Sequence, residues 1–251
     1  PFVSFHGTQS LAGTGEVVFS GSAPTLEPVG GTLTIGPDIT VRGAAGVLGR
    51  GGNPLVNQGT IQMGGTITGS SIINEGTIEP IDSNLTVSNL VNVGAVRGVS
   101  SRTLTLNGAW SNQSTIHAED GALILDGTTS AAGVVNAGSG SVRIEGDLDN
   151  TGQTLSLLAT TGQWEMRNGG RIVGGTIVDG GSGLLVVGNN AVTLDGVTLD
   201  ADLLIRALGR LNVFNGLTLN GALTIENTSS TGNRPFVSFH GTQSLAGTGE
   251  V

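Results

Sequence analysis

Apolar and polar residues alternate along this chain in short runs: Leu33/Ile35, Leu85/Val87, Leu104/Leu106, Leu123/Leu125, Val142/Ile144 and Leu155/Leu157. A period of two marks a strand with one side buried. Similar runs follow at Leu185/Val187, Val192/Leu194, Leu203/Ile205, Leu217/Leu219 and Leu223/Ile225. No long stretch keeps a helical spacing. The strongest helical segment, 201–211, is short and interrupted by Gly209. The strands also recur at a fixed distance: Leu85, Leu104, Leu123 and Val142 are each 19 residues apart.

A second marker runs beside them. Asn57-Gln-Gly-Thr-Ile61 returns as Asn74-Glu-Gly-Thr-Ile78, Asn92-Val-Gly-Ala-Val96 and Asn112-Gln-Ser-Thr-Ile116, with degenerate versions at Asn136 and Asn150. The spacings are 17, 18, 20, 24 and 14 residues, so turns vary while strands keep their place. Asn and Gly both tolerate left-handed backbone, which suits a sharp bend. An Asn at the same place in consecutive coils can also stack its amide on the next, and Gly beside it admits close backbone approach.

A period near 19 with two or three short strands per period is what a β-solenoid needs. One coil cannot bury its own apolar face, so neighbouring coils must cover it. The expected fold is all-β: a right-handed parallel β-helix of about twelve coils of ~19–20 residues, roughly 58 Å long.

A longer period contains the short one. Pro1–Val17 reads PFVSFHGTQSLAGTGEV and returns unchanged as Pro235–Val251, 234 residues later. The expected organisation is one complete solenoid repeat over 1–234 and the start of the next, identical unit over 235–251, as in a window on a tandem array. The two 17-residue segments are expected to adopt one conformation, about one unit apart.

Composition agrees with strands and tight turns. There are 44 glycines, aromatics make up 3%, and Cys and Tyr are absent. The absence of Cys removes disulfides and thiolate metal sites. All ten basic residues are Arg, so Lys–Asn isopeptide cross-links cannot form. A net charge of −9 without a basic cluster argues against nucleic acid or an anionic membrane as partner. No apolar run approaches the ~18 residues of a transmembrane helix.

The reiterated motif joins two aliphatic residues, Asn, any residue, Gly, Thr or Ala, and Ile or Val (Leu55–Ile61, Ile72–Ile78, Leu90–Val96). It resembles the coil repeats of filamentous-haemagglutinin-like adhesins, autotransporter passenger domains and giant tandem-repeat surface proteins of bacteria. The likeness covers residues 30–160 best. It implies a right-handed parallel β-helix, export to the cell surface, and a role in adhesion or matrix building. No binding residue carries over, because the matching positions are scaffold positions.

Residues able to carry chemistry are few. His117, Glu119 and Asp120 lie close in sequence, but neighbours in a strand point to opposite sides and seldom converge on one ion. His6 and its copy His240 sit beside a Gly turn, without a Ser or Asp partner at motif spacing. Asp147/Asp149 and Asp200/Asp202 each read as two carboxylates on one side of a strand, with Arg143 near the first pair and Arg206 and Arg210 near the second. Such pairs serve Ca²⁺ binding or glycoside cleavage. Gly180–Gly183 opens like a calcium-binding roll, but Leu185 occupies the position of its acid. Asn84, Asn112 and Asn227 match glycosylation sequons, the first two overlapping the coil repeat. Thr32/Thr34 and Thr103/Thr105 hint at an ice-matching array that Ile124 and Arg143 interrupt. Trp110 falls where Leu55, Ile72 and Leu90 sit in their coils, which makes it core or a lateral cover. Trp164, between polar neighbours, is a candidate for an exposed sugar-stacking ring.

The reading is therefore a non-enzymatic structural repeat unit of an extracellular or cell-surface bacterial fibre or giant adhesin. Its partners are neighbouring copies head to tail, with lateral self-association or surface glycans as further options. No catalytic, cofactor-binding or metal residues are assigned. The alternative is a polysaccharide-degrading or polysaccharide-binding β-helix using the paired aspartates.

Overall fold

The structure, a computed structural model, describes residues 1–251 apart from 130–132, 182 and 228–233. Among the described residues there is no helix, and the stacked strands pair in parallel. The chain winds through three faces per turn. Among the described residues, face A holds twelve strands, from Phe2–His6 to Leu223–Ile225. Face B begins with six strands, from Gln9–Leu11 to Ser111–Asn112. A bridge between Ala109 and Thr128 carries it into Thr128–Thr129, Asp147–Asp149 and Arg171–Val173. Face C runs from Gly15–Val18 upward. Near the C-terminal end, Asn190–Asp200 and Gly209–Leu219 pass through the corner without a break and join faces B and C into one hydrogen-bonded sheet. Each bends at a residue with positive φ, at Gly196 and at Asn215-Gly216.

The 19-residue period is the register of face A. Leu85, Leu104, Leu123 and Val142 are successive partners, and Trp164, Leu185, Leu203 and Leu223 extend the row. Parallel sheets are usually covered on both sides. Here alternation solves the problem: in Thr103–Asn107 the two leucines are buried and the polar residues look outward. One buried cluster runs the length of the molecule, from Phe19 to Leu223.

The Asn-x-Gly motif sits at the corner between faces B and C. Asn57, Asn74, Asn92 and Asn112 are buried, and each of the first three donates its Nδ2 to the Oδ1 of the next at 2.8 Å. The expected amide ladder is present. The left-handed backbone expected there is not: neither these asparagines nor Gly59, Gly76 and Gly94 have positive φ. Glycine is needed for space alone, since a Cβ on Gly76 would strike the carbonyl oxygen of Gly59 in the coil below. Asn150 keeps only the donor contact, to the Thr176 carbonyl at 3.1 Å, and in this copy the motif glycine, Gly152, does take the left-handed backbone, with φ of 69°. Asn136 is outside the row; it lies on face C and accepts from its own turn at Gly138.

The two identical segments share a local arc but not a face. In both, a Gln side chain donates to the His carbonyl three residues earlier, Gln9 to His6 at 2.7 Å and Gln243 to His240 at 2.8 Å. The intervening glycines match too, with φ of 78° at Gly7 and 79° at Gly241. Phe2–His6, however, pairs on face A, whereas Phe236–Phe239 stacks on 210–213 of face B.

Candidate functional site

Two features stand out on the surface: the open ends of the stack and a lateral groove on face B.

Exposed large apolar side chains gather at the ends. Phe2 is 74% exposed, and Val3 and Val18 are exposed beside it. At the other end Phe236, Phe239, Leu245 and Val251 are exposed. Val3, Phe5 and Val237 occupy inward positions, since they pair with buried or core-packed residues of the adjoining coil. Their free sides lack only a further coil. The terminal strands likewise leave one row of backbone donors and acceptors without a partner strand, which is a template for pairing.

The C-terminal copy shows how such an edge is filled. Val237 and Phe239 stand over Leu211 and Val213. On the outside, the Phe214 and His240 rings stack with centroids 4.5 Å apart, and the Arg210 guanidinium lies 5.6 Å from the centre of the Phe236 ring. Gln243 receives a hydrogen bond from the Gly216 amide at 2.7 Å and donates to the Val213 carbonyl at 2.8 Å.

The groove on face B encloses about 580 Å³ between Trp110, Thr129, Asp147, Asp149 and Arg171. Asp147 and Asp149 flank buried Leu148 and both point outward, as their spacing predicts. Arg143 does not join them. It lies on face A, 3.9 Å from Glu165. The cation beside the pair is Arg171, which occupies the position above Asp147 one coil later. Sequence proximity missed it, and a coil of 19 or 20 residues added to Asp147 stops at Met166 or Arg167, because this turn is longer than the repeat: the partner lies 24 residues on. Arg171 is already engaged with Asp195 at 2.6 Å, and Asn215 also donates to Asp195. These two contacts hold the Asp195 carboxyl below its usual range. Hydrogen bonds from Thr151 do the same for Asp149. A lowered carboxyl is a fixed anion and a poor proton donor.

The other candidates disperse. Asp200 and Asp202 do not share a strand side: buried Ala201 turns the corner between faces C and A, and each aspartate is capped by the next coil, through Asn220 and the Ala222 amide. Arg210 lies by Phe236 instead. Glu119 faces Arg97 at 3.6 Å, and Asp120 accepts from the Ser101 amide. No cluster of three His, Cys, Asp or Glu residues able to hold a metal occurs among the described residues. Asp179 binds the Gly181 and Gly183 amides at 2.7 Å, which closes the Gly180–Gly183 turn; Ser182 lies outside the described residues. Asn112 is buried in the ladder, so the coil repeat accounts for that sequon; Asn227-Thr-Ser runs into residues outside those described. Thr34 is on face B and Thr105 on face A, so they share no plane.

Both tryptophans are interior. Trp110 donates to the Asp126 carbonyl at 2.8 Å, and its ring lines the base of the groove as core. The exposed sugar-stacking role considered for Trp164 is overturned. Trp164 is fully buried in the face A row between Val142 and Leu185 and donates to the Leu158 carbonyl. Its polar neighbours misled because they occupy the outward positions of the same strand.

Comparison of the chain with protein-family models, with curated proteins and with solved structures returned no match. Among the described residues, no helix is long and apolar enough to cross a membrane.

Proposed function

We propose that this chain is a structural repeat unit of an extracellular bacterial fibre or giant surface adhesin, and that its partners are further copies stacked head to tail. The observation that carries this reading is the C-terminal 17-residue segment. It is identical to the N-terminal one and is seated as a further coil on the edge that 209–219 would otherwise leave open. Extension is then the task of the molecule. Each coil buries its aliphatic rows and satisfies its backbone on the next, so length and stiffness grow together. Charge pairing follows the same axis: Arg42–Glu16, Arg97–Glu119, Arg167–Glu145 and Arg171–Asp195 all join adjacent coils. The resemblance of the Asn-x-Gly coils to surface adhesins supports a location at or outside the cell surface.

The test is length. Recombinant arrays of one, two and three units, imaged by electron microscopy, should lengthen by roughly 54 Å per added unit, the span of eleven turns and one face at ~4.8 Å per turn. Particles that thicken or clump without lengthening would sink the proposal.

A second reading rests on the groove. An outward pair of carboxylates beside Arg171 over an apolar floor suits a polysaccharide. Incubating the unit with neutral and acidic polysaccharides, and measuring both retention and chain cleavage, tests it. Binding that disappears in Asp147→Asn would favour this reading.

A further inference from the structure

We infer that consecutive units join with an offset of one face, so that each unit is turned by about a third of a revolution relative to the one before it. This rests on the tandem-array reading and specifies the junction that reading leaves open.

Three successive contacts along the copied segment carry it. In the N-terminal copy Phe2–His6 lies on face A; the copied Phe236–Phe239 lies on face B. Leu11 lies on face B, beside Ile35; its copy Leu245 lies on face C, over Leu217. Glu16 lies on face C; its copy Glu250 bridges Ala222 at the start of face A, and the Leu223 amide donates to its carbonyl at 2.9 Å. All three shift by one face in the same direction. The local arc is unchanged, so the offset comes from the number of faces traversed in between. Phe2 opens the first of twelve strands on face A, and Phe236 follows the last of them onto face B. A unit is therefore eleven turns and one face, not a whole number of turns.

The open end agrees. Ile225 occupies a core position of face A, in register with Ile205, yet is 46% exposed. Glu250 and Val251 have just entered face A above Leu223. The residues that follow in a further unit, copies of Val18 and Phe19, would run on over Ile225.

The consequence reaches beyond the junction. An outward feature such as the Asp147/Asp149/Arg171 groove appears on a new face in each successive unit. It returns to its starting face after three units, roughly 160 Å. A partner lying along one side of the fibre meets the groove of one unit in three, at that spacing. The solenoid's own gradual twist adds to the rotation.

The chain has no cysteine, so engineered disulfides report the offset directly. In-register residues on adjacent strands are within disulfide reach. In the full 251-residue chain, Asn212→Cys with Ser238→Cys places thiols on outward partners of the offset arrangement. Thr224→Cys with Ser238→Cys does so for an arrangement without offset, in which Phe236–Phe239 would stack on Leu223–Ile225. A third variant, Thr218→Cys with Ala246→Cys, repeats the offset test on face C. Under mild oxidation, free thiols should fall from two to none in the first and third variants and stay at two in the second. Loss in the second alone would overturn the offset while leaving head-to-tail stacking intact. Retention in all three would overturn both. Equal loss from the first and second would overturn a fixed junction. Circular dichroism and melting of the reduced variants verify that each pair is tested on a folded chain.

Discussion

The side-chain amide of Asn74 donates to the Oδ1 of Asn92 at 2.8 Å, across one complete coil. Both residues are buried, and Asn74 is held from the other side by Asn57. A polar row inside a solenoid is tolerated because Asn74 and Asn92 each donate to the coil above and accept from the coil below; at the start of the row the Asn57 Oδ1 is buried without a donor. Asn74→Leu should therefore cost about 1–3 kcal/mol, because it leaves the buried Oδ1 of Asn92 without a donor. Asn136→Ala, outside the row, should cost less. Thermal melting of the two variants side by side decides this; equal losses would mean that the row contributes nothing of its own.

Leu104 pairs in register with Leu85 and Leu123 and has no exposed surface. Leu104→Asp should destabilise by more than about 3 kcal/mol, since the carboxylate would be buried without a partner. Thr105→Asp, one residue on and facing outward, should change stability by less than about 0.5 kcal/mol. An unchanged midpoint for Leu104→Asp in urea would show that inward and outward positions are wrongly assigned.

Two glycines separate space from backbone strain. At Gly76 φ is ordinary, but a Cβ would meet the Gly59 carbonyl; at Gly152 φ is 69°, with nothing near the added carbon. Gly76→Ala must push neighbouring coils apart, at a cost of about 1–3 kcal/mol. Gly152→Ala should cost about 1 kcal/mol from the left-handed backbone alone. Gly152→Asn should recover part of that loss, because Asn tolerates the conformation, whereas Gly76→Asn should recover none. Recovery at both positions would refute the close-approach account.

Acid should weaken the stack through Asp195. Hydrogen bonds from Arg171 and Asn215 hold its carboxyl below the ordinary 3.8. A folded value below the unfolded one means the contribution is complete above the unfolded value and fades as pH falls through the folded one. Asp195→Asn should lose at most about 1 kcal/mol near neutrality, since Arg171 is partly solvated. It should also flatten the fall of the melting temperature below about pH 4. Parallel pH–melting curves for the two proteins would count against the assignment.

The sequence by itself determined the elements and their stacking. Period-two alternation gave strands, the 19-residue interval gave the register of face A, and the Asn-x-Gly recurrence gave a buried amide row. These are legible because a solenoid pairs each residue with the equivalent residue one coil on, so spatial contact is written as sequence period. Position around the axis was not legible. Variable corners let Asp200 and Asp202 separate around Ala201, put Arg171 rather than Arg143 beside Asp147, and set Phe236 one face on from Phe2. Which face a residue occupies depends on the summed length of every preceding turn, and only the folded coil fixes that sum. The burial of Trp164 was decided in the same way: it is the face A row, not its chain neighbours, that encloses the ring.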